Sequence, residues 1–540
     1  MFRNRESSRM IWNRREWLRG AGLSAASAIG QDRFLNGETI AARPEAQAEN
    51  VGLFHARSFG ARADGISSDT AALQAAIDAA HEKGGGTVYL AAGRYLSGTL
   101  RLRSSVSLWI DNGATLVMSA SREDFPAADD ASSAADRPES NETSRALLLG
   151  DGVHNIAVYG EGEIEGNRSR RGGPKPVFLR DSSGIALRGI TFRNAPNYTV
   201  SLFRCRRAVI EGVTILNGYA DGIDLDCCRE VRVSGCMVES VDDAICLKAS
   251  RPSSAQGVTE QIAISDCMLR TASIHFKCGT ESCGDFRAIA VSNCTFEGGM
   301  GLRHGNPGIA LYTVDGGNLE DIAISNIVMR DVATPFAIML GNRDAWQLGR
   351  GPGLLRGVRI SNVIASGTRF PSIIAGLPGR PVTGIHFSDM TVRMTQTRMA
   401  PSAAQEESTG IPENPAHYPE PNMFGPLPAF GLYLRHLAEA EFRHIRFFAE
   451  DAVSLPAIAG DDLDGLYLEL LSTHEGSVAR LHALRNSFLE IIAFGRRKGP
   501  MLHFSGDSTA GVFCRTGGSI DTKSQITLDA DLPPGAVEIL

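Results

Sequence analysis

Val231-Arg232-Val233-Ser234-Gly235-Cys236-Met237-Val238 decides the fold, because the chain keeps returning to it. Two earlier copies are Ile185-Ala186-Leu187-Arg188-Gly189-Ile190 and Val209-Ile210-Glu211-Gly212-Val213. Their anchors Ile190, Val213 and Cys236 stand 23 residues apart each time. Later copies carry Ser-Asp or Ser-Asn before the anchor: Ile262 to Cys267, Ile289 to Cys294, Ile322 to Ile327, Val358 to Val363 and Ile385 to Met390. Phe442-Arg443-His444-Ile445 is a weaker return, and the later spacings of 27 to 55 residues imply insertions. Each copy alternates apolar and polar residues, the pattern of a strand with one buried face. A unit of about this length is one coil of a β-solenoid: it cannot bury its apolar face alone, but stacked units can. The expected fold is all-β, a single-stranded right-handed parallel β-helix, with Cys236, Cys267 and Cys294 as stacked core thiols and the Ser-Asn and Ser-Asp pairs at turns.

The rest of the chain is read outward from that repeat. Asp69 to Gly84 is a helix pattern, with Asp69 as its N-cap, Leu73, Ala76, Ile77 and Ala80 on one face and glycines at 84–86 to stop it. It is placed to cap the open N-terminal end, which would otherwise pair with other chains. A Pro-rich stretch at 396–428 interrupts the repeat as a functional loop or a mobile linker, and 429–540 reads as further coils and a tail. The core is therefore expected over 53–395, preceded by a leader at 1–30 and a linker at 31–52.

The leader reading rests on Arg14-Arg15 before a small-residue, mildly apolar run, which resembles a twin-arginine export signal and predicts a periplasmic or secreted protein. No segment is long and apolar enough for a membrane span. A net charge of −7 carries no electrostatic footprint for nucleic acid, and Arg168, Arg170 and Arg171 read as a solvated loop. Ten cysteines in an exported chain ordinarily mean disulfides, but core positions argue against it for most of them; Cys278 and Cys283 flank a short loop, where a bridge and two free thiols are both open.

Chemistry concentrates where two coils meet. Asp221 and Asp242 are 21 residues apart, close to one coil, so stacking brings Asp221 beside Asp242 and Asp243. Clustered carboxylates repel: one holds a proton and the others stay ionised, which is the acid and water-holding pair that glycosidic cleavage requires. Candidate sugar contacts on the same face are Asp224, Lys248, His275, Lys277, Glu281 and Tyr312, with Arg303, His304 and Asp315 beside them and Trp346 and Tyr418 as stacking faces from loops. Alternation places His275 and Lys277 on one side of a strand. Neither CxxC nor HxxxH spacing occurs, so no zinc site and no cofactor is expected.

The stretch from Tyr219 to Ser250, with Asp221 and the Asp242-Asp243 pair, resembles the active-site region of the polygalacturonases, glycoside hydrolase family 28. Ser58 to Ala80 is similar to the opening of that family and of related pectin-acting β-helix proteins, and the segment around Tyr418 to bacterial members. The resemblance implies an inverting hydrolase of a polysaccharide or oligosaccharide, with Asp242 as general acid and Asp221 and Asp243 activating water. Three departures from the family pattern stand out. The family's Asn-Thr-Asp reads Tyr219-Ala220-Asp221, and its Gly-His-Gly finds no match near Thr271 to Ser273. Its Arg-Ile-Lys, which holds the substrate carboxylate, aligns with Ala310-Leu311-Tyr312. Two alternatives stand beside the hydrolase. One is a lyase or epimerase with Lys248 or Lys277 as base and Asp221, Asp224 and Asp226 on a metal; the other is a non-catalytic glycan-binding solenoid.

Overall fold

The computed structural model describes residues 52–127, 144–167, 171–250, 257–299, 306–346, 348–395, 410–449, 455–472, 477–493, 500–518 and 525–540. The expected leader and linker, Arg168, Arg170, Arg303, His304 and the first part of the Pro-rich stretch lie outside these residues. Gly52–Leu540 is one body.

It is a right-handed parallel β-helix. Each coil lays one strand in each of three parallel sheets. The sheet that matters for function holds β1 (Val200–Phe203), β2 (Ile223–Asp226), β3 (Ile245–Ala249), β4 (Phe276–Ser282), β5 (Pro307–Thr313), β6 (Thr334–Leu340), β7 (Ser372–Ala375) and the start of β8 (Leu432–Ala449). They pair in that order, in register, for example Ile223 with Ile245 and Phe276 with Ile309. Arg229–Ser234 belongs to the second sheet and Met237–Ser240 to the third. Parallel pairing continues to Val537–Ile539.

The repeat anchors do what their spacing requires. Ile190, Val213, Cys236, Cys267, Cys294, Ile327, Val363, Met390 and Ile445 are all buried in one core. Cys294, Ile327, Val363, Met390 and Ile445 are direct partners down the ladder. The thiols of Cys236, Cys267 and Cys294 each donate to the carbonyl two residues back, those of Ser234 (3.4 Å), Ser265 (3.2 Å) and Ser292 (3.2 Å). The residue before each anchor is the bend. Gly235 has φ +61°, and Asp266, Asn293, Asn326 and Asn362 take the same left-handed conformation, which Asn and Asp tolerate better than other side chains. The asparagines also form an outer ladder: Asn326 Nδ2 donates to Asn293 Oδ1 at 2.9 Å, and Asn362 Nδ2 to Asn326 Oδ1 at 2.7 Å.

Helix α1 (Thr70–Glu82) buries Leu73, Ala76, Ile77 and Ala80 against the first coils, as its pattern requires. Asp69 does not cap it. Its carboxylate instead accepts the N–H groups of Arg62 (2.7 Å) and Ala63 (3.0 Å), so it ties the preceding turn to the helix start. Cys278 and Cys283 form no bridge: all ten cysteines are buried free thiols, and Cys278 faces the core.

Candidate active site

The outer faces of the second and third sheets alternate buried and exposed residues, but β2, β3, β4 and β5 are buried at every position. Something covers the outside of this sheet, and the charged residues sit beneath that cover. Asp221, Asp242 and Asp243 stand in the turns that lead into β2 and β3. Gly222 makes the first turn possible: a Cβ there would lie 2.3 Å from Val238 Cγ1 and 2.6 Å from the Ala244 carbonyl. Ser240 Oγ donates to the Asp242 carbonyl at 2.7 Å and fixes the second.

The structure brings the three aspartates together, with one carboxyl oxygen of each within 4.8 Å of the others. Their surroundings differ. Burial raises the Asp221 carboxyl well above its usual value, against the pull of Lys248 at 3.4 Å. Asp243 accepts bonds from Lys277 Nζ (2.9 Å), Ser273 Oγ (2.8 Å) and the Ile274 N–H (3.2 Å), so both its oxygens are engaged. Burial also works to raise Asp242, but the Arg171 guanidinium in contact with it and the Lys277 ammonium outweigh that and hold it below the usual carboxylate range. Charges brought close in a poorly solvated place separate the acidities of like groups in this way.

Two buried ammoniums complete the floor. Lys248 lies 2.8 Å from Asp224, 4.0 Å from Glu281 and 3.1 Å from the Tyr198 hydroxyl, whose ring lies under its Nζ. Burial alone would discharge it; Asp224 above all keeps it charged. Lys277 is kept charged in the same way by Asp243. A cavity of about 370 Å³ opens above them, walled by Arg171, Asn197, Tyr198, the three aspartates, Lys248, Lys277, Glu281 and Tyr418. That is the size of a small-ligand pocket.

Of the expected sugar contacts, Lys248, Lys277 and Glu281 wall this cavity. Four others are elsewhere. Asp224 is wholly buried beneath Lys248 and acts on it rather than on a ligand. His275 precedes β4 instead of alternating along it. Its Nε2 donates to the Glu297 carbonyl at 2.8 Å, its ring stacks on Phe296, and burial lowers its pKa to about 4. Tyr312 is wholly buried in an apolar cluster with Ala310, Met339 and Tyr433, because the segment 410–428 lies over it. Asp315 is buried against Arg343, at 3.0 and 2.8 Å. Trp346 is not a wall of the cavity, whereas Tyr418 is.

Arg171, Asn197 and Tyr198 were not expected as walls. Arg171, read as solvated, reaches Asp242, and Tyr198 stands beside Lys248. Arg171 had a signal in the repeat: stepping back from Asp221 by about one coil reaches Asn197, and by another reaches Gly172.

Residues 53–162 match the family described as rhamnogalacturonase A/epimerase, pectate lyase-like, and residues 130–397 match glycosyl hydrolases family 28. A probable polygalacturonase of Vitis vinifera is 25% identical over 368 residues, which cover 62% of this chain and 73% of that one. A mannuronan C5-epimerase of Azotobacter vinelandii is 67% identical over only 42 residues, 8% of this chain and 3% of the epimerase. The family 28 exopolygalacturonase of Yersinia enterocolitica superposes with a TM-score of 0.56 at 19% identity, over 77% of this chain and 78% of that one, and shares the fold. Two overlapping family matches run through the coils that carry the aspartates, and the chain belongs to glycoside hydrolase family 28.

Proposed function

We propose that this glycoside hydrolase cleaves an acidic, pectin-related glycan with inversion, using Asp242 as acid and Asp221 and Asp243 to hold the attacking water. The observation that carries the reading is the juxtaposition of three carboxylates in one cavity with unlike partners. Before a sugar arrives, burial raises the Asp221 carboxyl while Arg171 holds that of Asp242 down. The Arg171–Asp242 pair is partly exposed, so a sugar displaces it at a cost of about 0–1 kcal/mol. Once the guanidinium leaves, the proton preference moves to Asp242. Asp242 then protonates the glycosidic oxygen as the bond to the anomeric carbon breaks, and a water adds from the other side. The water's proton passes to Asp221, whose charge Lys248 balances. Asp243, with both oxygens engaged, orients that water and is a poor nucleophile toward carbon.

The family's carboxylate-binding Arg and Lys are replaced at Ala310 and Tyr312, and Tyr312 is covered. The cations that face a substrate carboxylate here are Arg171, Lys248 and Lys277. Because both lysines are held charged, neither is ready to take a proton from a sugar ring, which counts against the lyase reading. Wild-type protein should release reducing ends from pectic glycans, and Asp242→Asn should lower that rate by about 10²–10⁴ with unchanged circular dichroism; near-normal turnover by the variant would defeat the assignment. The reading includes export through the twin-arginine leader, checked by loss of the periplasmic or secreted pool when Arg14 and Arg15 become lysines.

A further inference from the structure

We infer that the segment 410–428 walls off one end of the glycan cleft, so that the enzyme removes units from a chain end instead of cutting within the chain. The inference rests on the hydrolase reading above. Its starting point is the direction of the cleft. The cavity crosses successive coils, from Gly172 past Tyr198 and Asp221 to Asp243 and Lys277. Neighbouring strands lie about 4.8 Å apart, so a glycan seated in it follows the solenoid axis over roughly four coils.

Past Lys277 only the adjoining cavity continues, along the turns before the strands, and it reaches no further than Asn306 at the start of β5. On the next strands, β5, β6 and β7, the outward residues are Ala310 and Tyr312, Ala337 and Met339, Ile373 and Ala375. They form no polar groove. Ile411, Phe424 and Leu427 of the segment lie on them and complete a second, separate apolar core. The cover is also tied down by polar contacts. Arg435 donates to the Ile411 carbonyl at 2.7 Å and pairs with Glu413, and the Asn342 N–H donates to the Pro415 carbonyl at 2.6 Å. Internally, Asn414 Nδ2 donates to the Met423 carbonyl at 2.6 Å. Buried apolar contact and three polar ties to the coils make this a fixed wall.

Tyr418 is the face that the wall presents to the site. Its hydroxyl accepts from Thr280 Oγ1 at 2.8 Å and from Lys277 Nζ at 3.3 Å, while the residue as a whole remains 46% exposed and borders the cavity. Glu420, two residues on, borders the adjoining cavity over Asp242 and Ser273. A terminal sugar therefore meets Tyr418 one coil beyond Asp243, and the rest of the chain extends back over the earlier coils.

The test is the product pattern on polygalacturonate, followed by reducing ends, viscosity and product length together. Wild-type protein should yield only the shortest products from the first time points, with viscosity falling slowly as reducing ends accumulate. Tyr418→Ala should shift the pattern to a ladder of longer oligomers, whereas Tyr418→Phe, which keeps the ring, should retain the short products. A wild-type ladder with early collapse of viscosity, or the same short products from Tyr418→Ala, overturns the inference while leaving hydrolysis intact. If the wild type releases no reducing ends from any pectic glycan, the hydrolase reading falls and takes the inference with it.

Discussion

Within a single coil, Val231–Val238 and Asp242–Lys248 use their strands in opposite ways. In the first, every second residue is buried, the others face solvent, and the same residue class recurs in the coils above and below. In the second, both faces of the strand are buried, and the charges beside it are matched by opposite charges in the neighbouring coils, Lys248 by Asp224 and Asp243 by Lys277. The first region shows what a solenoid needs for stacking. The second shows where stacking has been given up for chemistry, with buried charges kept only because each has an opposite partner within about 3 Å.

Breaking that pairing should have the largest effect. Lys277→Met leaves Asp243 buried without its cation and should cost roughly 3–5 kcal/mol, read from the urea midpoint; a loss below 1 kcal/mol would show that the site is better solvated than the geometry implies. Next is His275, buried and neutral beside the site. Its folded pKa of about 4 lies below the ordinary imidazole value of 6.5, so as pH falls the unfolded chain takes up the proton first. The stability it contributes is complete above pH 6.5 and lost toward pH 4, roughly 3 kcal/mol in all. His275→Gln should flatten that part of the stability profile, and an unchanged slope would refute the assignment. In the repeating region the stakes are smaller. Asn326→Ala breaks two rungs of the outer asparagine ladder at an exposed left-handed bend, and should cost about 1 kcal/mol in thermal unfolding.

The smallest change in stability and the clearest change in pH dependence belong to Arg171. Arg171→Gln should move stability by less than about 1 kcal/mol, since the pair with Asp242 is partly exposed. Without the guanidinium, Asp242 holds its proton to higher pH. The alkaline limb of kcat/KM should therefore shift upward. A downward shift would mean that Arg171 does not act on the acid.

The same contrast explains what the sequence revealed. The coil, the core thiols, the bend residues and the three aspartates are legible because a repeat converts spacing into adjacency: 21 residues become one rung. Alternation then misled at His275 and Tyr312, since it distinguishes inward from outward but not exposed from covered. The cover over Tyr312 comes from Ile411 and Phe424, about 100 residues downstream in a segment without periodicity. Arg171 and Tyr418 enter the site from turns and a strap, so no strand pattern announces them. Asp69 shows the converse: its position before the helix suggests a cap, but two unpaired N–H groups in the preceding turn compete for the carboxylate and win.

The central claim is hydrolysis by the aspartate triad, and isotope labelling tests it most directly. Digestion of a pectic glycan in heavy-oxygen water should place one heavy oxygen at each new reducing end, at a rate that collapses in Asp242→Asn. Unsaturated products carrying no label, or labelling that persists undiminished in the variant, would contradict it.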